Sequence, residues 1–225
     1  MQHATCHLFE DFLGVQLMPD ASTNLGGPWC KKDTSSAGAP TMVGVASEAT
    51  GGLKTLLAST NEAEIMTLYW GDILSIKWSN ILSIGYRLKA TAITTAESLV
   101  FGVASAQNDT EDSVAYNAWF KLAATSDILV ETDDASTDDD DNDTGLDIVA
   151  ATYKEYVIDF RNGLKDVRFF VSGAGGYLER VLAATTFSLY GAAGTYCQPF
   201  VQLSKTTGTT VPYCTIDWID IEYKR

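Results

Sequence analysis

Seven aspartates fall within the eleven residues from Asp133 to Asp143, so carboxylate chemistry is the first question this chain poses. Clustered carboxylates bind hard cations through oxygen, and calcium suits them best. The helix-loop-helix calcium pattern does not fit. Counting from Asp139 places Gly145 seventh rather than sixth, and Ala150 stands where a bidentate Glu is required. The candidate metal ligands are therefore Asp133, Asp134, Asp138, Asp139, Asp140, Asp141 and Asp143, in a non-standard arrangement with calcium as the one conceivable cofactor. The plainer expectation is a solvated acidic tip with no cofactor. Packed like charges repel and Asp disfavours strands, so residues 132–145 read as an exposed loop.

Other reactive groups give less. A retaining glycosidase needs two carboxyl groups about 5 Å apart. One such family carries them as Glu-x-Asp-x-x-Glu on a strand, where alternation turns the first two to one face. The nearest match, Glu131-Thr-Asp133-Asp-Ala-Ser136, lacks the last carboxylate and sits at the start of the acidic run. A Glu131→Gln change is accordingly expected to act as a surface substitution, within about 0.5 kcal/mol. Nucleophilic triads need a base beside Ser or Cys. The only histidines are His3 and His7, near the start of the chain, and no Gly-x-Ser-x-Gly is present. Gly173-Ala-Gly-Gly176 lies between two strand patterns, whereas a phosphate loop opens a helix, so it reads as a hairpin turn. Cys6, Cys30, Cys197 and Cys214 form no Cys-x-x-Cys pair and read as free thiols. The catalytic and cofactor-binding sets are empty, and no enzyme is expected. Trp29, Trp70, Trp78, Trp119 and Trp218 could stack on sugars but are better placed in a core, with Trp119 and Trp218 internal.

The elements that would position these residues are strands. Turn signals recur about every 8–15 residues, as in sandwiches. Expected strands are Leu8–Leu13, Pro40–Ser47, Leu53–Leu57, Glu64–Trp70, Ile81–Thr91, Leu99–Ser105, Ala115–Ala123 and Asp127–Glu131. They continue with Leu146–Ala150, Lys154–Phe160, Asp166–Val171, Glu179–Ala184, Tyr196–Lys205 and Tyr213–Tyr223. Short helical turns are expected near Trp70–Leu74 and Thr185–Tyr190. Leu8–Leu13 and Tyr213–Tyr223 should be neighbours in one sheet, with Leu88, Phe101, Ile158, Phe169 and Trp218 buried. The fold class is thus an all-β antiparallel two-sheet sandwich spanning 1–225 as one domain, with 1–7 as an N-terminal arm.

Composition narrows the partners. Lys and Arg number 15 against 29 Asp and Glu, a net charge of −14. Such a surface repels phosphate backbones, which argues against nucleic acid and anionic membranes. No run of 18 apolar residues exists to cross a bilayer as a helix. Met1–Phe12 lacks the basic start and apolar stretch of a signal peptide, which suggests synthesis in a cytosol.

Several segments together resemble the concanavalin-like (laminin-G-like) jelly-roll family. Phe9-Glu-Asp-Phe-Leu-Gly14, with Trp29 some 20 residues on, is similar to its first strand and following loop. Leu99-Val-Phe-Gly-Val103 resembles a mid-sheet strand. Tyr156-Val-Ile-Asp-Phe160 with Asp166–Gly173 looks like paired strands, and Ile216-Asp-Trp-Ile-Asp-Ile221 like the last strand. Within that fold Phe9–Phe12, Glu131–Asp134 and Ile216–Asp217 look most like tailed-bacteriophage virion proteins. The resemblance implies a capsid decoration or cement protein, made in the host cytoplasm and located in the virion. Its implied partners are the major capsid protein or other virion proteins, with homo-oligomerisation and an ordered 1–7 arm. The alternative is a carbohydrate-binding or host-recognition module of a phage tail. The family's metal-dependent sugar binding does not carry over, because its ligand residues have no match here.

Overall fold

The computed structural model describes residues 4–12, 28–45, 51–123, 126–173 and 175–225. Among them the chain runs through sixteen strands and no α-helix. In order they are β1 (Thr5–Glu10), β2 (Cys30–Thr34), β3 (Thr41–Gly44), β4 (Leu53–Leu56) and β5 (Glu64–Tyr69). Next come β6 (Ile76–Lys77), β7 (Ile81–Ala90), β8 (Glu97–Ala104), β9 (Asn117–Ala123), β10 (Asp127–Asp133) and β11 (Asp138–Asp147). The last five are β12 (Lys154–Asp159), β13 (Arg168–Ser172), β14 (Leu178–Arg180), β15 (Tyr196–Lys205) and β16 (Tyr213–Lys224). Leu13, Gly14, Ala46 and Ser47 of the expected opening segments, and Met1–His3 of the expected arm, lie outside the described residues.

Two antiparallel sheets form. The first has the order β14-β13-β12-β7-β16-β4-β3, with β1 also on β16. The second has the order β11-β10-β9-β8-β15-β5-β2, with β6 on β15. The first and last strands pair as expected, Leu8 opposite Ile221. Residues 5–7 of the expected arm are therefore part of β1.

Period-2 alternation turns one side of every central strand inward. Phe101 and Phe120 from the second sheet meet Tyr156 and Phe169 from the first, with ring centroids 4.8–5.5 Å apart. Leu88, Phe101, Ile158 and Phe169 are buried as expected. The Tyr86 hydroxyl donates to the Gly102 carbonyl at 2.5 Å, joining the sheets through a buried bond. Trp218 is the exception. A bulge between Ile216 and Trp218 inserts Asp217, so Ile216 and Ile219 face the core and Trp218 turns outward, half-buried beside Phe9.

The acidic run also differs from the expected loop. Asp138–Asp147 is β11, the edge strand of the second sheet. Backbone pairing with β10 and the Thr144 hydroxyl's bond to the Ile128 carbonyl (2.6 Å) hold it, and Leu146 packs on the core. Propensity loses here to position. An edge strand has one free side, and charge there blocks pairing with other chains.

At the far end, Lys205 on β15 is fully buried with Glu64. Its ammonium donates to the carbonyls of Ala58, Thr60 (2.8 Å), Gly208 (3.3 Å) and Thr210 (3.4 Å).

Candidate functional site

In β10, Ile128 and Val130 point into the core, so alternation turns Glu131 and Asp133 to the outer face of the second sheet. Glu131 nevertheless is 1% exposed. Trp119 of β9 stands opposite it on one side. On the other side Thr132 pairs with Asp139 and Val130 with Asn142, which leaves Asp140 and Asp141 as a bulge facing Glu131. Asp141 takes a positive φ of 45° to allow this. The result is a cluster in which carboxylate oxygens of Glu131, Asp138 and Asp140 lie within 4.8 Å of one another.

One side of this cluster is satisfied and the other is not. Asn117 Nδ2 donates to Glu131 Oε1 at 2.9 Å. Glu131 Oε2 is buried with only the neighbouring Trp119 indole N–H turned toward it, short of a well-formed hydrogen bond, and Asn117 Oδ1 and Thr132 Oγ1 close by are buried without a partner. Burial pushes the Glu131 carboxyl up to about 7. The nearby Trp119 indole N–H, Lys121 and Asn117 pull the other way, and Asp140 adds to the rise. Burial and the neighbouring Asp138 likewise raise Asp140. The Lys121 ammonium is turned to Asp141 at 2.8 Å and stands 4.0 Å from Glu111. Carboxylates gathered around a buried member carry an electrostatic cost that a proton or a cation relieves.

Of the seven aspartates singled out in the sequence, only Asp138 and Asp140 enter this cluster. Asp133 accepts from the Ala135 N–H at 2.6 Å and Asp143 from the Gly145 N–H at 2.8 Å, both local turn bonds. Asp141 pairs with Lys121, and Asp139 lies outside the cluster. Asp134 does something else. Burial works to raise its pKa, but the N–H groups of Gly191, Thr137 and Ser136 outweigh it and hold the carboxyl below its usual range. It pins the β10–β11 turn to the short 3-10 turn Tyr190–Gly194. The third member of the cluster, Glu131, belongs to the segment that resembled a glycosidase motif, and it is buried rather than on the surface. The signal for it was the strand pattern Ile128-Leu-Val130, which extends naturally through Glu131.

The remaining candidates are dispersed. His7 meets Asp220 of the paired strand β16 at 3.0 Å, and His3 lies outside the described residues. Cys6, Cys30, Cys197 and Cys214 are free thiols, the last three buried. Gly173–Gly176 carries the β13–β14 hairpin, with Gly173 N–H donating to the Tyr177 carbonyl.

The outer face beside the cluster is covered by the chain itself. Residues 105–116, joining β8 to β9, cross it. Val114 packs with Cys30, Tyr69, Val100, Trp119 and Phe200. Asp109 holds Lys32 at 2.9 Å, and Glu111 accepts from Ser98 at 3.0 Å. Trp119 is thus buried as expected, but in this satellite cluster rather than between the sheets. Trp29, Trp70 and Trp78 are buried too.

The architecture is shared with known proteins. A protein of unknown function from Shewanella oneidensis MR-1 superposes with a TM-score of 0.62 at 10% identity, covering 99% of this chain and 88% of that one. Lectin II from Ulex europaeus gives 0.58 at 9% identity over 96% and 98%. A Bacillus licheniformis β-glucanase gives 0.55 at 13% identity over 96% and 97%. At such identities the likeness is one of fold: the chain has the concanavalin-like jelly roll of lectins and glucanases. No protein-family model matches the sequence, and no curated protein matches it in sequence.

Proposed function

We propose that this chain is a non-catalytic, saccharide-binding jelly roll whose acidic hairpin is fixed by calcium. The observation that carries the cation is the meeting of carboxylate oxygens from Glu131, Asp138 and Asp140 within 4.8 Å of one another, with Glu131 buried. An all-oxygen, carboxylate-rich set suits calcium rather than zinc or copper. Lys121, committed to Asp141, does not take the cation's place. Binding a cation here would hold β11 to β10 at its bulge. Supporting the saccharide are the solved structures that share this fold, among them lectins and a glucanase. Supporting a role without catalysis is the burial of Glu131, 1% exposed, which keeps its carboxyl from reaching a sugar.

The setting is part of the same proposal. A tail or capsid position in a phage virion, made in a host cytoplasm, rests on the resemblance of Phe9–Phe12, Glu131–Asp134 and Ile216–Asp217. Co-purification of the protein with particles tests it, and its absence from them removes that setting.

The cation is tested by thermal unfolding in calcium and in chelator. At 100 times its dissociation constant calcium adds about 2.7 kcal/mol. For a chain of this length that is a rise of roughly 5–10 °C in Tm. Glu131→Gln and Asp138→Asn should each remove most of it. An unchanged Tm at millimolar calcium would overturn the site. A glycan array probed in calcium tests the ligand class, and retention of no glycan would overturn that part.

A further inference from the structure

Two depressions lie side by side at the end of the sandwich where β7 begins and β16 ends, and Lys224 lines both. One, of about 510 Å³, also holds Lys77 and Arg225 against the apolar side chains of Ile73 and Tyr223. The other, of about 390 Å³, holds Arg161 and Lys165 beside Tyr190. Five of the chain's 15 basic residues thus line one continuous surface, and no Asp or Glu lines either depression. In a molecule of net charge −14 that segregation is the opposite of the average surface.

These cations are not all spent on the protein. Arg161 is, being paired with Asp159 (2.9 Å) and with Glu222. Lys165 lies over the Tyr190 ring at 4.2 Å, a contact that leaves its charge unneutralised. Lys77, Lys224 and Arg225 have no ion pair among the described residues. Tyr190 is 60% exposed and Ile73 54%, so each depression offers an apolar surface as well as charge.

We propose that this double depression is the binding site for an acidic polysaccharide, with successive sugars on either side of Lys224 and their carboxylate or sulfate groups on Lys77, Lys165 and Arg225. The inference rests on the saccharide-binding reading above and specifies its ligand. Charge complementarity selects an anion. Pyranose faces suit the exposed Tyr190 ring and the aliphatic wall, which a purely ionic site would not need. The surrounding −14 field disfavours a polymer charged at every unit, such as a nucleic acid, more than a glycan with spaced charges and uncharged faces. The 3-10 turn Tyr190–Gly194 carries the exposed ring and is tied to the acidic hairpin by Asp134, so the groove and the proposed calcium cluster are mechanically joined.

The test is affinity electrophoresis of the full chain in calcium through gels containing hyaluronate or xanthan, whose charged sugars are separated by uncharged ones, or neutral dextran. Retardation is expected in at least one acidic gel and not in dextran. The Lys77→Glu, Lys224→Glu double variant should lose at least tenfold in affinity while its circular dichroism and Tm stay those of the parent. Added salt should weaken retardation progressively, since screening shortens from about 10 Å at 0.1 M to about 3 Å at 1 M. Retardation equal in parent and double variant overturns the groove. If the parent ignores both acidic polymers but binds neutral glycans on the array, the groove fails and the saccharide-binding reading survives. If it binds no glycan in either assay, both fall. Tighter binding to single-stranded DNA than to either acidic glycan overturns the assignment to polysaccharide.

Discussion

Glu131 shows how far one side chain's chemistry depends on a few ångströms of cover. Its carboxyl titrates at about 7 against an ordinary value of 4.5, because burial penalises the ion more than Trp119, Lys121 and Asn117 stabilise it. The folded protein therefore holds a proton that the unfolded chain releases. Stability linked to that proton is fully present below about pH 4.5 and is lost as pH rises through about 7. The loss is about 3 kcal/mol at most, at 1.36 kcal/mol per unit. In chelator, Tm should fall between pH 5 and 8. Glu131→Gln should flatten that fall, and so should calcium, which takes the proton's place. Glu111 and Asp140 are raised by burial too, so they add a decline of the same sign as each is deprotonated, which the variant will retain. A Tm profile identical in parent and Glu131→Gln would remove Glu131 from any role in stability. The substitution is thus far from the near-silent surface change its place in an acidic run suggested.

At the scale of elements, β11 deserves a different expectation from the loop it resembles in composition. Deleting Ala135–Asn142 would shorten no idle connection. It removes the turn that Asp134 pins to Gly191, half of an edge strand, and two of the three clustered carboxylates. It also bares the backbone of β10, a free edge that invites pairing with other chains. Urea unfolding should show lower stability, and size exclusion should show soluble aggregates. A monomer of parental stability would mean that β11 contributes nothing to the sheet. The central strands were legible because large apolar residues alternate in them, as in Tyr156-Val-Ile158 and Tyr196–Lys205. The fold class and the pairing of first and last strands followed. β2, Cys-Lys-Lys-Asp-Thr, carries no such alternation and was not legible. β11 was hidden because its pairing is set by β10's ladder rather than by its own side chains. The site was half legible. Asp138 and Asp140 were named, but their meeting with Glu131 depends on the bulge at Asp140 and Asp141, and the outward turn of Trp218 depends on the insertion of Asp217. A bulge shifts alternation by one, and nothing in these residue types announces it.

Across the whole molecule, the two ends of the sandwich are held by positive charge in different ways. Lys205 reaches into a ring of carbonyls from Ala58, Thr60, Gly208 and Thr210, with Glu64 beside it, and performs there the task a metal ion performs elsewhere. Removing it would strand a buried carboxylate, a loss of about 3–5 kcal/mol. Because this cation is covalently part of the chain, no chelator or competing ligand can withdraw it. The opposite end depends, on our proposal, on an ion from outside. In hydrogen exchange, chelator should quicken the amides of residues 134–141 and leave those around Thr60 and Thr210 as slow as before. Such a molecule would sense calcium with one pole only, keeping a permanently fastened base on which a conditional head is assembled or let go.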